Sequence, residues 1–144
     1  MTDLKKLAQE ISRKCIASQV RQLNRSVTRI YDDKLRSHGL KITQFTILVA
    51  IANLEAASPQ IIGSTLNLEK STTSRGLERM IEQGWLLAEY SNGGRIKTVT
   101  LTEVGQKLLT EASHSWSQAQ EQVEKLIERE DLAALFKLTK SINY

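Results

Sequence analysis

The chain has 144 residues, of which 40% are hydrophobic, and its 20 Lys and Arg against 16 Asp and Glu give a formal net charge of +4. This length accommodates one globular domain with its own core and leaves too little for two full domains. The lone cysteine excludes an internal disulfide, and we find neither a membrane-spanning segment nor an export signal, so we expect a cytoplasmic protein.

Positive charge is concentrated towards the N-terminus. Residues 1–38 carry a net charge of +5, whereas residues 103–144 carry −2. An anionic partner such as nucleic acid would explain this asymmetry, and so would an ordinary solvated surface. The charge balance alone therefore does not decide between the two.

The first third of the chain predicts a long helix. Apolar residues recur at intervals of three to four from Leu4 to Leu35, which is the pattern of one amphipathic helix, and Gly39 ends it. A helix of about 33 residues runs roughly 50 Å, which exceeds the width of a domain of this size. Part of this helix must therefore pack against something else.

The middle of the chain predicts three shorter helices. Thr43 is the candidate cap of the first, and Ser58-Pro59 reads as a cap followed by a first-turn proline that opens the second. Residues 66–68 form a turn, and the third helix covers residues 70–83. Gly84 is placed to end that helix in a left-handed conformation.

The hydrophobic period then changes to two, which is typical of strands. Residues 85–90 and 95–101 are rich in β-branched and aromatic side chains, and the Asn-Gly step within residues 91–94 is a strong hairpin signal. Thr102 is the predicted cap of the next helix, and Asp131 opens a last one. The fold class is therefore mainly helical with a small antiparallel β-hairpin.

Two short helices joined by a tight turn and followed by a two-stranded ribbon describe a helix-turn-helix with a wing. The second helix begins with short donors and acceptors, which suits a DNA major groove, and its arginines can reach base edges or phosphates. The basic residues beside the hairpin tip are placed to enter a minor groove. The candidate DNA contacts are Ser71, Thr72, Thr73 and Arg75 for the groove, Lys70 and Arg79 for phosphates, and Arg95 and Lys97 on the wing.

Four segments occur in a specific order and spacing: Thr43-Gln44-Phe45 with Leu48, residues 68–75, residues 77–86 and residues 99–105. Each is a weak signal alone. As a set they resemble the winged-helix MarR regulators, the multiple-antibiotic-resistance type, and the resemblance covers almost the whole chain.

The resemblance implies one domain over residues 1–144. Residues 39–102 would form the winged DNA-binding region, while residues 1–38 and 103–144 would form a helical dimerisation region. It also implies a homodimer on a pseudo-palindromic operator that represses or activates nearby genes. We expect a repressor, relieved when a small phenolic or lipophilic compound, or an oxidant, binds. One departure is that Gly93 stands where family wings usually carry an aspartate two residues before the arginine, so Arg95 lacks a carboxylate that would orient it.

A dimer is also predicted without the resemblance, because apolar stripes at opposite chain ends lie far from the winged region and need burial. The alternative is that both ends fold back onto their own core. The predicted interface residues are Leu4, Leu7 and Ile11 at one end and Leu126, Leu132, Leu135 and Leu138 at the other.

Cys15 is a candidate redox site, because the preceding Arg13 and Lys14 are cations that favour thiolate, and some MarR relatives sense peroxides through a cysteine in the first helix. Against this interpretation, side chains one and two positions away on a helix point elsewhere, and no second cysteine is present to resolve a sulfenic acid. A buried, inert thiol is the alternative.

Other chemistry has little support in the sequence. Two isolated histidines and one cysteine give no metal-site spacing, and no phosphate loop or catalytic motif is present, so we expect no metal, no cofactor and no enzyme. Val27, Phe45 and Trp116 are candidates for lining a ligand cavity, with ordinary core packing as the alternative. The rival function is a winged-helix protein-interaction module that binds no DNA.

Overall fold

The computed structural model describes residues 2–142. Within this range the chain is mainly helical with one two-stranded antiparallel sheet. In chain order the elements are α1 (Thr2–Lys14), α2 (Ile16–Leu35), a 3-10 turn (Arg36–His38), α3 (Ile42–Leu54), α4 (Pro59–Leu66), α5 (Lys70–Glu82), β1 (Leu86–Tyr90), β2 (Ile96–Leu101), α6 (Glu103–Leu126) and α7 (Arg129–Ile142).

The prediction of one long N-terminal helix is wrong in one respect: the helix is interrupted at Cys15. The backbone of Cys15 is extended, with φ −70° and ψ 105°, so Cys15 is the cap of α2 rather than part of a continuous helix. Neither proline nor glycine marks this break, so the periodicity of the apolar residues carries no sign of it. Gly39 does end the segment, at φ 70°, after the 3-10 turn.

The start of α3 also differs from prediction. Thr43 lies inside the helix, and Lys41 takes the cap position. The amide of Lys41 donates to Gln44 Oε1 at 3.0 Å, and the amide of Ile42 donates to Asp32 Oδ1 at 2.8 Å. A carboxylate ten residues upstream therefore satisfies a first-turn amide, which local sequence cannot show.

The helix-turn-helix is capped as the sequence predicts. Ser58 Oγ accepts from the amide of Ile61 at 3.2 Å, with Pro59 in the first turn of α4. Asn67 ends α4 in the left-handed conformation at φ 53°. Gly84, at φ 79°, ends α5: its amide donates to the carbonyl of Ile81 at 2.9 Å.

The hairpin forms at the predicted place with a different turn. Strand β1 pairs with β2 from Leu86 opposite Leu101 onwards. The amide of Gly94 donates to the Ser91 carbonyl at 2.9 Å, and the amide of Ser91 donates to the Arg95 carbonyl at 2.8 Å. Only Gly94 of the loop has a positive φ, at 77°, so the chain uses a three-residue loop with a glycine bulge rather than a two-residue Asn-Gly turn.

Thr102, at the start of α6, connects the wing to the end of α5 by hydrogen bonds. Thr102 Oγ1 accepts from the amide of Gly105 at 3.0 Å, as predicted for a cap, and donates to the Gly84 carbonyl at 2.6 Å. A Cβ at Gly105 would lie 2.1 Å from the Trp85 carbonyl oxygen, so only glycine allows this approach. The last helix begins two residues before the predicted Asp131.

The core lies within the winged region and extends to α2 and α6. A bridge between Ala57 and Val99 joins the α3–α4 connection to β2. Helix α2 packs along α6, where Tyr31 donates a hydrogen bond to Gln120 and His38 Nε2 lies 3.0 Å from Ser115 Oγ. The buried core residues are Leu35, Leu40, Phe45, Ile47, Leu48, Ile51, Ala57, Ile62, Leu77, Met80, Leu86, Val99 and Ala112.

Across residues 2–142, no helix combines the length and the apolar character needed to cross a membrane.

Candidate nucleic-acid interface

The outer face of α5 is polar and open. Lys70, Ser71, Thr72, Arg75 and Arg79 are all exposed, while the opposite face of α5 buries Leu77 and Met80 in the core. The division arises because α5 repeats its apolar residues at helical spacing on one side only. Its exposed carboxylates, Glu78 and Glu82, follow Arg75, so the first turns are the basic, hydroxyl-rich part of this face.

Thr73 does not belong to that face, and its prediction as a groove contact is wrong. Its side chain is 1% exposed, and its Oγ1 donates to the Glu69 carbonyl at 3.0 Å. The side chain packs against Gly63 of α4. A Cβ added to Gly63 would lie only 3.1 Å from Thr73 Oγ1. Thr73 therefore joins the two helices of the helix-turn-helix.

The wing meets the start of α5 around a groove of about 630 Å³. Arg95 and Lys97 line it from the wing, and Lys70 and Ser74 line it from α5. These four residues, from two separate elements, thus share one depression. No carboxylate of residues 2–142 lines this groove, so its walls are positively charged.

A second groove, of about 710 Å³, lies along α5 between this helix and the start of α3. Thr72, Arg75 and Arg79 line it from α5, and Arg36 and Lys41 line it from the other wall. Arg36 and Lys41 were not among the predicted contacts, because they precede the helix-turn-helix. Their only sequence signal is that they flank Gly39, the residue that redirects the chain towards α3.

The candidate DNA-contacting cations have no acidic partner in the described part of the chain. The ion pairs found there join Lys14 to Glu10, Arg36 to Asp33 and Lys107 to Glu111, all on exposed surface. Lys70, Arg75, Arg79, Arg95 and Lys97 form none of them. Their charge is therefore available to an anionic partner.

Cys15 is partly exposed at the beginning of α2. The side-chain hydroxyl of Ser18, followed by the amides of Ser18 and Ala17, lowers the pKa of the thiol, and the charge of Arg21 contributes last. The reason proposed from the sequence, the neighbouring Arg13 and Lys14, is not the cause. Instead, the break in the helix gives the sulfur access to the free amides of the first turn. Among residues 2–142, no three His, Cys, Asp or Glu side chains gather as a metal site would require.

The residues predicted to line a ligand cavity are packed instead. Phe45 is buried, and its ring stacks on Trp116 with centroids 6.2 Å apart and planes 12° from parallel. Val27 is half-buried on α2. Neither groove beside α5 is lined by any of the three, and their assignment as ligand contacts stays a prediction.

The helices at the chain ends leave their apolar residues in solvent. Leu7 is 52% and Leu138 is 56% exposed, so the alternative in which both ends fold back on the core is not what the structure shows. Leu132 is half-buried. The other predicted interface residues, Leu4, Ile11, Leu126 and Leu135, are exposed.

Residues 38–96 match the family model of the MarR family, and this stretch contains α3, α4, α5 and β1. Over this stretch the chain is similar to the MarR family. Over 89 residues it is 28% identical to the uncharacterized HTH-type transcriptional regulator YwoH of Bacillus subtilis (strain 168). That alignment covers 62% of this chain and spans 65% of the length of YwoH.

The MarR winged-helix fold extends over nearly the whole chain. A cysteine-to-serine variant of MarR from E. coli, in complex with operator DNA, has a TM-score of 0.78 at 19% identity and covers 92% of this chain and 96% of its own. CouR from Rhodococcus jostii RHA1, bound to p-coumaroyl-CoA, has a TM-score of 0.75 at 18% identity over 92% of this chain and 94% of its own. At these identities the likeness shows the fold, which confirms the predicted winged helix. MarR-family proteins are DNA-binding transcriptional regulators rather than enzymes.

Proposed function

We propose that this chain is a sequence-specific transcriptional regulator that places the start of α5 in a DNA major groove and the wing in the neighbouring minor groove. The observation that carries the proposal is the exposed basic and hydroxyl face of α5 beside the equally basic wing. The positive charge of such a surface attracts the phosphate backbone of DNA, and side chains on a protruding helix read base edges.

Each exposed residue has a role in this proposal. Ser71, Thr72 and Arg75 contact base edges in the major groove, because they lie on the outermost face of the first turns. Lys70 and Arg79 bind phosphates. On the wing, Arg95 and Lys97 approach the minor groove, and the flexible Gly93 leaves Arg95 without an orienting carboxylate.

We propose a homodimer as the acting species. Residues 39–102 would form the DNA-binding region, and residues 1–38 with 103–144 the dimerisation region. Supporting this are α1 and α7, whose large apolar side chains are exposed in the single chain, and which would bury them against a second copy. Two winged regions at a fixed spacing then match a pseudo-palindromic operator.

We further propose that the regulator is a repressor relieved by a small phenolic or lipophilic compound. The neighbouring structure of CouR holds p-coumaroyl-CoA, which is a phenolic thioester. In this chain the seam between α3 and α6 is closed by the Phe45–Trp116 stack. A compound that enters there must separate the two rings, and quenching of Trp116 fluorescence on titration with phenolic acids would report it.

The function is tested by selecting bound sequences from a random duplex library with the wild-type protein. We expect a pseudo-palindromic consensus bound with a steep loss of affinity as salt rises. Arg75→Ala should cost about 1 to 3 kcal/mol of binding free energy and relax the preference at one base pair in each half-site. Wild-type affinity for Arg75→Ala would contradict the assigned role. Absence of any duplex binding would favour the protein-interaction module.

A second function, redox sensing, has its own supporting observation, which is the position of Cys15 at the break between α1 and α2 with its thiol pKa lowered by Ser18. Oxidation there would alter a hinge between the exposed end helix and the rest of the chain. The experiment compares operator affinity before and after hydrogen peroxide. A loss of affinity that Cys15→Ser prevents supports sensing, whereas unchanged affinity of the wild type rejects it.

A further inference from the structure

The second groove, between α5 and the start of α3, joins predicted DNA contacts on α5 to two cations from outside the helix-turn-helix. Its lining includes four cations, Arg36, Lys41, Arg75 and Arg79, and one carboxylate, Asp32. The Asp32 carboxylate is already used, because it accepts the amide of Ile42 at 2.8 Å. Arg36 pairs with Asp33 at 2.8 Å, but both side chains are more than half exposed. Such a pair is weak and exchanges readily for a better anion.

The two grooves lie on roughly opposite sides of α5. Successive helical residues turn by about 100° around the axis, since 3.6 residues complete a turn. Thr72, Gly76 and Arg79 face the second groove, and Lys70, Thr73 and Ser74 face the groove beside the wing. The exposed crest of α5 is therefore a ridge between two positively charged depressions.

A ridge with a basic depression on each side matches the shape of a DNA major groove, which is about 12 Å wide and is bordered by one phosphate backbone on each side. The backbone that separates the major groove from the minor groove read by the wing would pass between α5 and the wing. The other backbone would then meet Arg36 and Lys41. No other element of the described chain supplies cations to that side of α5 within the groove.

We propose that Arg36 and Lys41 are a phosphate clamp for the backbone remote from the wing. This inference rests on the proposed function and adds two residues from outside the helix-turn-helix to the interface. The clamp fixes the angle at which α5 enters the major groove without reading sequence, because phosphates are the same at every base pair. Arg36 and Lys41 are thus positioning residues for Arg75.

The test uses the full-length protein and the duplex that the wild type selects. Log affinity is measured against log salt for the wild type, for Arg36→Ala, for Lys41→Ala and for their combination. In the proposed homodimer each substitution removes two phosphate contacts, one in each subunit. At about 0.9 per phosphate, we expect the slope to fall by about 1.8 for each single variant and by about 3.6 for the double variant. Arg36→Lys, which keeps the charge, should restore most of the slope. The matched control is Lys107→Ala, an exposed cation on α6, which should leave the slope unchanged.

Phosphate-ethylation interference locates the phosphates that the protein binds. The wild type should show interference on both backbones that border each major-groove site. In the double variant the interference should weaken only on the backbone remote from the wing, where Arg79 remains. The inference is overturned if Arg36→Ala and Lys41→Ala keep the wild-type slope, or if the interference disappears from the wing side. A wild type with no salt-dependent duplex binding would overturn the proposed function as well, so the two failures are distinct.

Discussion

The winged region and the helices at the chain ends differ in the solvent exposure of their apolar residues. Between residues 39 and 102, apolar side chains such as Ile51, Leu77 and Val99 are fully buried. In α1 and α7, by contrast, residues of the same type are exposed, for example Leu4 at 69% and Ile142 at 66%. Both regions have amphipathic patterns, so the pattern alone does not say where the partner surface is.

This contrast indicates that the two regions have different roles. The winged region holds itself together, through caps, a buried bridge and close backbone contacts, and so can present α5 rigidly. The end helices carry an apolar face that a single chain leaves in water, at a cost of about 25 cal/mol for each Å² of apolar surface. In the proposed homodimer their stability depends on the second copy, so changes in the two regions should have different consequences.

The largest effect is expected from charges placed in the end helices. In the double variant Leu7→Asp and Leu135→Asp, burial of unpaired carboxylates in a dimer interface would cost on the order of 3 to 5 kcal/mol. Light scattering at micromolar concentration should show a monomer, with operator binding abolished and the winged region still folded.

Leu87→Asp is the matched control, because Leu87 is also an exposed leucine, at 65%, but lies on the wing. That variant should remain dimeric. If the double variant in α1 and α7 kept the wild-type molecular mass, the assignment of these helices to an interface would be wrong.

The next largest effect is expected inside the winged region. Gly105→Ala places a Cβ 2.1 Å from the Trp85 carbonyl oxygen, and backbone on both sides of the contact must shift. Overpacking of this kind costs about 3 kcal/mol, measured as the free energy of urea unfolding. Gly76→Ala is the control, since its new Cβ would only touch Ile47 Cδ1 at 3.5 Å. It should be neutral or stabilising by up to about 1 kcal/mol. Equal stability of the two variants would contradict the proposed contact.

These contacts show which parts of the fold follow from the sequence. The caps at Ser58 and Thr102 and the stop at Gly84 were predicted correctly, because each is a local signal read within a few residues. The capping of α3 by Asp32 was not predicted, because it joins residues ten positions apart in the chain. The break at Cys15 was not predicted, because neither proline nor glycine marks it. The same limit applies to the site. The exposed arginines of α5 follow from helical spacing, but the burial of Thr73 depends on how closely α4 approaches.

A smaller effect on stability is expected where α4 approaches α5, at Gly63 and Thr73. Gly63→Ala brings a Cβ to 3.1 Å from Thr73 Oγ1 and 3.4 Å from the Leu68 carbonyl. The helix-propensity gain of alanine, about 1 kcal/mol, offsets part of an overpacking cost of 1 to about 3 kcal/mol. We expect a net loss of about 1 kcal/mol in the free energy of unfolding. Adding Thr73→Ala removes Oγ1, so a double-mutant cycle should show favourable coupling, and strictly additive effects would contradict the steric account.

The smallest effect concerns Cys15, and it affects reactivity more than stability. Because the Ser18 hydroxyl is the main cause of the lowered thiol pKa, Ser18→Ala should raise that pKa towards its usual value. The rate of alkylation by iodoacetamide should then reach its midpoint at higher pH than in the wild type, since the thiolate is the reacting form. Arg13→Ala is the control and should leave the midpoint in place, because Arg13 is not among the groups that shift this pKa.

The lowered pKa of the Cys15 thiol also makes the free energy of unfolding depend on pH. A thiol whose pKa is lower in the folded chain favours folding at pH values above the pKa of the unfolded thiol, and this contribution is lost as the pH falls through the folded pKa. Cys15→Ser should therefore reduce the free energy of unfolding more at alkaline than at neutral pH. A midpoint that moved with Arg13→Ala and not with Ser18→Ala would return the cause to the neighbouring cations and remove the role of the helix break.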